Sequence, residues 1–241
     1  MIIYFYTPLI ISLFFSIGFF FESIFGFGGG LIAYSFLSFF FEIKEMTMAG
    51  LYIGTFASLY IAFGSRKHFE IKIFTKLIPI ALLGSIIGVY IFIYFSSKIL
   101  STFFGIILFF LAIKMIFFDK YKFSKSLRSV FLFIGSISQG AFGIGGPFVV
   151  SAIRDEFKTK SSLRATMAIY FLFCNVLRIS QMFFADKLEI AFFTKISWTI
   201  IPVFVAIYFG HCVHLKIKDE IFKKGVATIV LLASIKFLFN N

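Results

Sequence analysis

Two glycine clusters carry most of the chemistry in this sequence: Gly26-Phe27-Gly28-Gly29-Gly30 and Gly143-Ile144-Gly145-Gly146-Pro147. Each interrupts a long apolar run, 4–41 in the first case and 130–153 in the second. Glycine weakens a helix and proline removes a backbone donor, so each cluster predicts a five-residue helix break. Inside lipid, a break leaves polar groups that only protein or a water-filled cavity can satisfy. The N–H groups that open the helix after each break, at the positive end of its dipole, form a site for an anion. The expectation is one anion between the two breaks. Its substrate-binding residues would be Gly26, Gly28, Gly29, Gly30, Gly143, Gly145 and Gly146, acting through backbone amides, with no basic residue assigned to mid-depth.

Four side chains join them. Glu22 is a carboxylate within an apolar run, and Gln139 occupies the matching place before the second cluster. An intramembrane carboxylate is costly and functional by default. The blander alternative is a carboxylate hydrogen-bonded to a neighbouring helix end. A carboxylate buried beside an anion is disfavoured against its neutral acid, which makes Glu22 a candidate proton carrier, for coupling or gating. Gln139 and Asn175 are candidates for contact with the substrate; Asn175, near mid-helix, could equally be a polar tie between helices. Arg178 sits near the outer end of its segment, where a long basic side chain snorkels, and is grouped with Glu22 as a gating candidate.

Other chemistries fit less well. A phosphate-binding loop needs a preceding strand and a complete G-x-G-x-x-G, but Leu31 occupies the last glycine position. Close helix packing accounts for Gly84 and Gly88 better than for the two clusters. His211, Cys212 and His214 have no second cluster to complete a metal site, and Cys174 and Cys212 lack metal-type spacing. No metal and no cofactor is therefore expected. Ser23 has no evident base partner, which leaves an intramembrane hydrolase as a poor alternative and argues against an enzyme.

The elements that must position these residues follow from the apolar pattern. The 241 residues are 60% hydrophobic and 14% charged, and the mean hydropathy is +1.01. Apolar segments run over 2–25, 31–41, 46–63, 73–95, 99–118, 130–142, 148–153, 163–184, 190–211 and 222–239. That is the pattern of an all-α polytopic membrane protein forming one membrane transporter domain, 1–241. Segments 31–41 and 148–153 are too short to cross alone, and each suits a half-helix that enters the membrane and turns back. The first segment lacks a basic leader and a small-residue cleavage site, so it is expected to be retained. The net charge of +12 lies in the joints between apolar runs, where the positive-inside effect accounts for it without nucleic acid.

The halves repeat. Glu22-Ser-Ile-Phe-Gly-Phe-Gly-Gly aligns with Gln139-Gly-Ala-Phe-Gly-Ile-Gly-Gly, and Glu70-Ile71 before Phe74-Thr75-Lys76 matches Glu189-Ile190 before Phe193-Thr194-Lys195. Repeat 1 covers 1–118, a linker 119–128, and repeat 2 129–241. Loop charge orients them. The joints with Arg66, Lys67 and Lys72, with Lys120, Lys122, Lys125 and Arg128, with Arg154, Lys158, Lys160 and Arg164, and with Lys216, Lys218, Lys223 and Lys224 are basic and should be cytoplasmic. Those around Lys44, Lys98 and Lys187 should be external. The second break then enters and leaves on one face while the first does the opposite. Two inverted repeats result, each a re-entrant helix hairpin plus three transmembrane helices, about eight membrane segments. Segment 2–25 is itself long enough to span, which leaves the location of the N-terminus open.

These residues resemble the TauE/SafE family of sulfite-exporter-type anion transporters over nearly the whole chain. The likeness rests on Gly26-Phe-Gly-Gly-Gly, Leu83-Gly-Ser-Ile-Ile-Gly-Val, Gln139-Gly-Ala-Phe-Gly-Ile-Gly-Gly-Pro and Leu163-Arg-Ala-Thr, the last leading into a helix with Asn175 and Arg178. The resemblance implies a multi-pass carrier of sulfur-containing or organic anions in the cytoplasmic membrane of a prokaryote. The implied partners are a small anionic substrate and the lipid bilayer. Its oligomeric state is open, a homodimer included. Two features depart from the family pattern: Ala33-Tyr34-Ser35 stands where a proline is usual, and Glu22 where glutamine or a small residue is commoner. The other function class is a non-transporting membrane interaction or assembly protein.

Overall fold

The computed structural model describes residues 2–117, 124–213 and 219–239. Lys120, Lys122, His214, Lys216 and Lys218 lie outside the described residues, as do the side chains of Lys223 and Lys224. The described chain is helical: α1 (Ile2–Phe25), α2 (Gly29–Leu37), α3 (Ile43–Ser65), α4 (Ile71–Tyr94), α5 (Ser97–Phe117), α6 (Lys125–Phe142), α7 (Gly146–Ile153), α8 (Lys160–Phe184), α9 (Ile190–Ile196), α10 (Ile200–Val213) and α11 (Asp219–Phe239). Among the described residues, six stretches are long and apolar enough to cross a membrane: Thr7–Phe25, Ile43–His68, Ile71–Tyr94, Ser97–Phe117, Lys160–Phe184 and Ile190–Val213. Within the last, residues Ser197–Thr199 tighten into a 3-10 turn. Pro202 follows, and it can neither donate to the preceding turn nor fit beneath it.

Both glycine clusters break the chain, but each break is three residues rather than five. Gly29, Gly30 and Gly146 already belong to the following helices. After each break the chain folds back on itself. Phe36 and Phe40 of the α2 end stack on Phe14, with ring centroids 5.1 and 6.1 Å apart, while Tyr34 meets Phe15 edge-on. On the second hairpin Phe148 of α7 lies against Phe131 and Gly135 of α6. Gly28 (φ 96°) and Gly143 (φ 76°) turn the two corners in the left-handed region, which an L side chain enters only with strain.

Around the hairpins the helices pair in matched fashion. α4 lies along α6 and α10 along α1; α3 crosses α8, and α5 packs on α11. The sequence match of Glu70 and Glu189 reappears in the backbone. Each caps the next helix with nearly the same angles (φ −102°, ψ 87° and φ −86°, ψ 82°), and its carbonyl accepts from the third and fourth N–H that follow. Three basic joints are tied together at one end of the bundle. Lys76 pairs with Glu156 at 3.0 Å and Arg128 with Asp155 at 3.2 Å, and the Glu70 N–H donates to Thr166 Oγ1 at 3.1 Å.

Glycine sets the closest of these contacts. A Cβ on Gly84 would collide with Ser136, and one on Gly88 would collide with Ile137 O and lie 2.8 Å from the Gly140 carbonyl carbon. Gly210 makes the counterpart approach to Phe20 and Ser23. Contact this tight supplies the van der Waals attraction that holds helices together in lipid. Gly88→Leu is expected to separate α4 from α6, costing about 1–3 kcal/mol as overpacking does. A lowered melting temperature in detergent, beside an unchanged one for the exposed Gly64→Ala, would verify it.

Candidate functional site

A break in lipid creates unpaired amides at the start of one helix and unpaired carbonyls at the end of another. The protein satisfies both kinds with side chains. Glu22 reaches across its own hairpin, and its Oε2 accepts from the Gly29 N–H at 2.7 Å. Gln139 does the same in the second hairpin, where Oε1 accepts from the Gly145 N–H at 2.9 Å. The helix-end alternative for Glu22 is therefore the contact seen. Two of the amides expected to hold an anion, those of Gly29 and Gly145, already have side-chain partners.

The carbonyl ends are met by two arginines of a single helix, α8. Arg164 Nη1 donates to Ser23 O at 2.9 Å, in the last turn of α1. Arg178 Nη2 donates to Ala141 O at 3.3 Å, in the last turn of α6. Each places a cation at the negative end of a helix dipole. Arg164 also lies 2.8 Å from His211 Nδ1, through Nη2. Among the described residues, no three potential metal-ligating side chains gather in one place.

Arg178 requires a correction. Its place near the end of α8 predicts a side chain that snorkels outward, and no basic residue at mid-depth. Instead it is 1% exposed, and its Nε and Nη1 have no partner. Nη1 points at the corner of the second hairpin, 3.0 Å from where a Cβ on Gly143 would stand, and Tyr34 Oη is 3.8 Å from that point. Snorkelling fails because α6 extends past the middle of α8, so that its last turn covers the guanidinium.

The two tips touch. A Cβ on Gly30 would lie 3.5 Å from Ile144 Cγ2 and 3.6 Å from Gly143 O, and one on Gly146 3.1 Å from Phe27 Cβ. Between them is a cavity of about 30 Å³, room for a water or two. Glu22, Gly28, Gly30, Gln139, Gly143, Gly146 and Asn175 all line it. Gly26 does not: it packs against the Arg164 backbone, where its own Cβ would be 3.0 Å from Arg164 Cα. The sequence reading missed Tyr34, Phe171 and Ser58, which also line it. A signal was present for α8. Arg164, Phe171, Asn175 and Arg178 fall within about 60° on a helical wheel, one stripe facing the hairpins.

The chain belongs to the TauE/SafE family: the model described as "Sulfite exporter TauE/SafE" matches residues 10–237. This is a family of membrane transporters, and the chain is a multi-pass membrane protein. No curated protein and no solved structure matches it.

The capping geometry gives a stability test. Gln139→Ala and Glu22→Ala each leave a buried amide unpaired and are expected to cost about 1–2 kcal/mol. Glu22→Gln keeps an acceptor oxygen and should stay near wild type. Thermal melts of the three purified variants would separate these outcomes.

Proposed function

We propose that this TauE/SafE member carries small anions, sulfur-containing oxyanions such as sulfite among them, by alternating access. The anion would be held between the two hairpin tips, with the buried Arg178 as its counter-charge. The observation that carries this reading is the guanidinium itself: 1% exposed, two nitrogens unpartnered, and aimed at the corner of Gly143. A buried cation with spare donors is costly unless something charged and hydrogen-bonding meets it. Gly28, Gly30, Gly143 and Gly146 would let the anion approach the backbone, Tyr34 and Asn175 would add polar contacts, and Gln139 and Glu22 would hold the tips in shape. The small central cavity fits a closed state that widens as the tips part.

The finer architecture belongs to the same proposal. Matched sequence halves, matched pairings of α4 with α6 and α10 with α1, and the shared geometry at Glu70 and Glu189 support two inverted repeats. In that arrangement each hairpin is re-entrant. The end gathering Arg66, Lys67, Arg128, Arg154 and Lys158 would face the cytoplasm. The repeat also isolates what is special about Glu22. Gln139 makes the equivalent cap with a neutral amide, so capping needs no charge, and the carboxylate is left for coupling transport to protons.

Transport of labelled sulfite by reconstituted vesicles tests the reading. Arg178→Ala should lose apparent affinity by at least roughly 30-fold, the scale for truncating one partner of a buried charge pair, in a protein that still folds. Gly146→Leu should also stop flux, because its side chain would enter the space between Phe171 and Phe27. Glu22→Gln should still carry anion while the dependence of flux on pH flattens. An unchanged pH profile would reduce Glu22 to a cap. Folded wild-type protein that moves no small anion would favour the non-transporting assembly role.

A further inference from the structure

The α3 side of the central cavity is lined by small residues. Gly50, Gly54 and Ser58 recur every four positions, share one face of α3, and all border the cavity. Such a row leaves a groove, and Tyr34 of the first hairpin fills one end of it. Its ring stands where a side chain on Gly50 would go: a Cβ there would collide with Oη and lie 2.7 Å from Cζ and 3.0 Å from Cε1. Phe15 of α1 meets the ring edge-on and Phe104 of α5 meets it at a tilt, each with its centroid 6.0 Å away. All three rings are buried. The phenol is thus held at a fixed depth by α1, α3 and α5, all in the first half of the chain. Only its hydroxyl end reaches the second hairpin, where Oη lies 3.8 Å from the point that a Cβ on Gly143 would occupy. Arg178 Nη1 approaches the same point to 3.0 Å.

We propose that Tyr34, set in depth by Gly50, is the residue that limits the size of the transported anion. The assignment rests on the anion site between the tips proposed above. A phenol O–H and a guanidinium aimed at one point are matched to the oxygens of a single oxyanion head. Behind that head, toward α3, the ring already fills the groove. A substituent on the anion would meet a packed aromatic that cannot retreat, because Phe15, Phe104 and the Gly50 backbone close the space behind it. Sulfite carries only a lone pair on sulfur where a sulfonate carries carbon, so it meets no such obstacle. The site therefore takes inorganic oxyanions and rejects organic sulfonates, by overpacking rather than by charge. Gly50 acts through Tyr34: a larger residue there would push the hydroxyl into the place of the anion.

The test is displacement of labelled sulfite from purified full-length protein by methane-, ethane- and propanesulfonate, which share its sulfur–oxygen head. Wild type should prefer sulfite to propanesulfonate by at least about 30-fold, and Tyr34→Ala should narrow that preference at least about 10-fold. Tyr34→Leu, which keeps more of the packing, should narrow it less. Tyr34→Phe should leave the preference unchanged and weaken sulfite about 2- to 10-fold, the scale of one lost hydrogen bond. Gly50→Ala should weaken sulfite itself. A ring that only supports the fold would lower the melting temperature of these variants without moving the preference. Wild-type protein that binds propanesulfonate as well as sulfite overturns the assignment, as does a folded Tyr34→Ala or Tyr34→Leu variant with the wild-type preference. Flux in reconstituted vesicles separates this from the carrier reading. The expected preferences in a protein that moves no sulfite sustain Tyr34 and reject the carrier, whereas sulfite flux with an unaltered preference in Tyr34→Leu does the reverse. Folded wild-type protein that binds no sulfite overturns both.

Discussion

The structure depends on one constraint: four helix ends meet inside the bundle, and their backbone groups need partners there. Breaking α1 from α2 and α6 from α7 strips the hydrogen bonds from two N-termini and two C-termini. In lipid each unsatisfied group costs several kcal/mol. Glu22 and Gln139 take the amides; Arg164 and Arg178 take the carbonyls. The hairpins are therefore held at their tips by specific side chains, and one helix, α8, supplies the clamp for both. That explains why α8 carries two arginines on one stripe, and why Gly26 must let it approach.

The four contacts are not equivalent. Gln139 spends its carbonyl oxygen on the Gly145 amide, and Arg164 engages both Nη groups, with Ser23 O and the His211 ring, leaving its Nε without a hydrogen bond. Glu22 makes a bond that its repeat partner makes without charge. Arg178 uses one nitrogen on Ala141 O and leaves two unused beside a glycine corner. A carboxylate whose charge the cap does not need lines the small cavity, and a cation with spare donors lies beside Gly143, which forms part of its wall.

Much of this was legible in the sequence because glycine and proline act locally. The two clusters mark the breaks, their separation marks the repeat, and the lysines and arginines in the joints mark one end of the bundle. The clusters predict breaks longer than those observed because a glycine can also open a helix, as Gly29 and Gly146 do once their N-termini are capped. The arginines were not legible in the same way. Whether Arg178 snorkels or is buried depends on how far α6 reaches along α8, and that is a tertiary fact: Ser136 meets Tyr170 and Ala141 meets Arg178. The helical spacing of Arg164, Asn175 and Arg178 held the hint, since a stripe of that kind faces protein rather than lipid.

The central claim is that an anion sits between the tips with Arg178 as its counter-charge. The most direct measurement is the position of a heavy anion: selenite, located by anomalous scattering in crystals of the intact protein. The account predicts a peak between Gly30, Gly143 and the Arg178 guanidinium, lost in Arg178→Ala crystals. Selenite found only at the exposed basic joints, with the space between the tips unoccupied at saturating concentration, would contradict it.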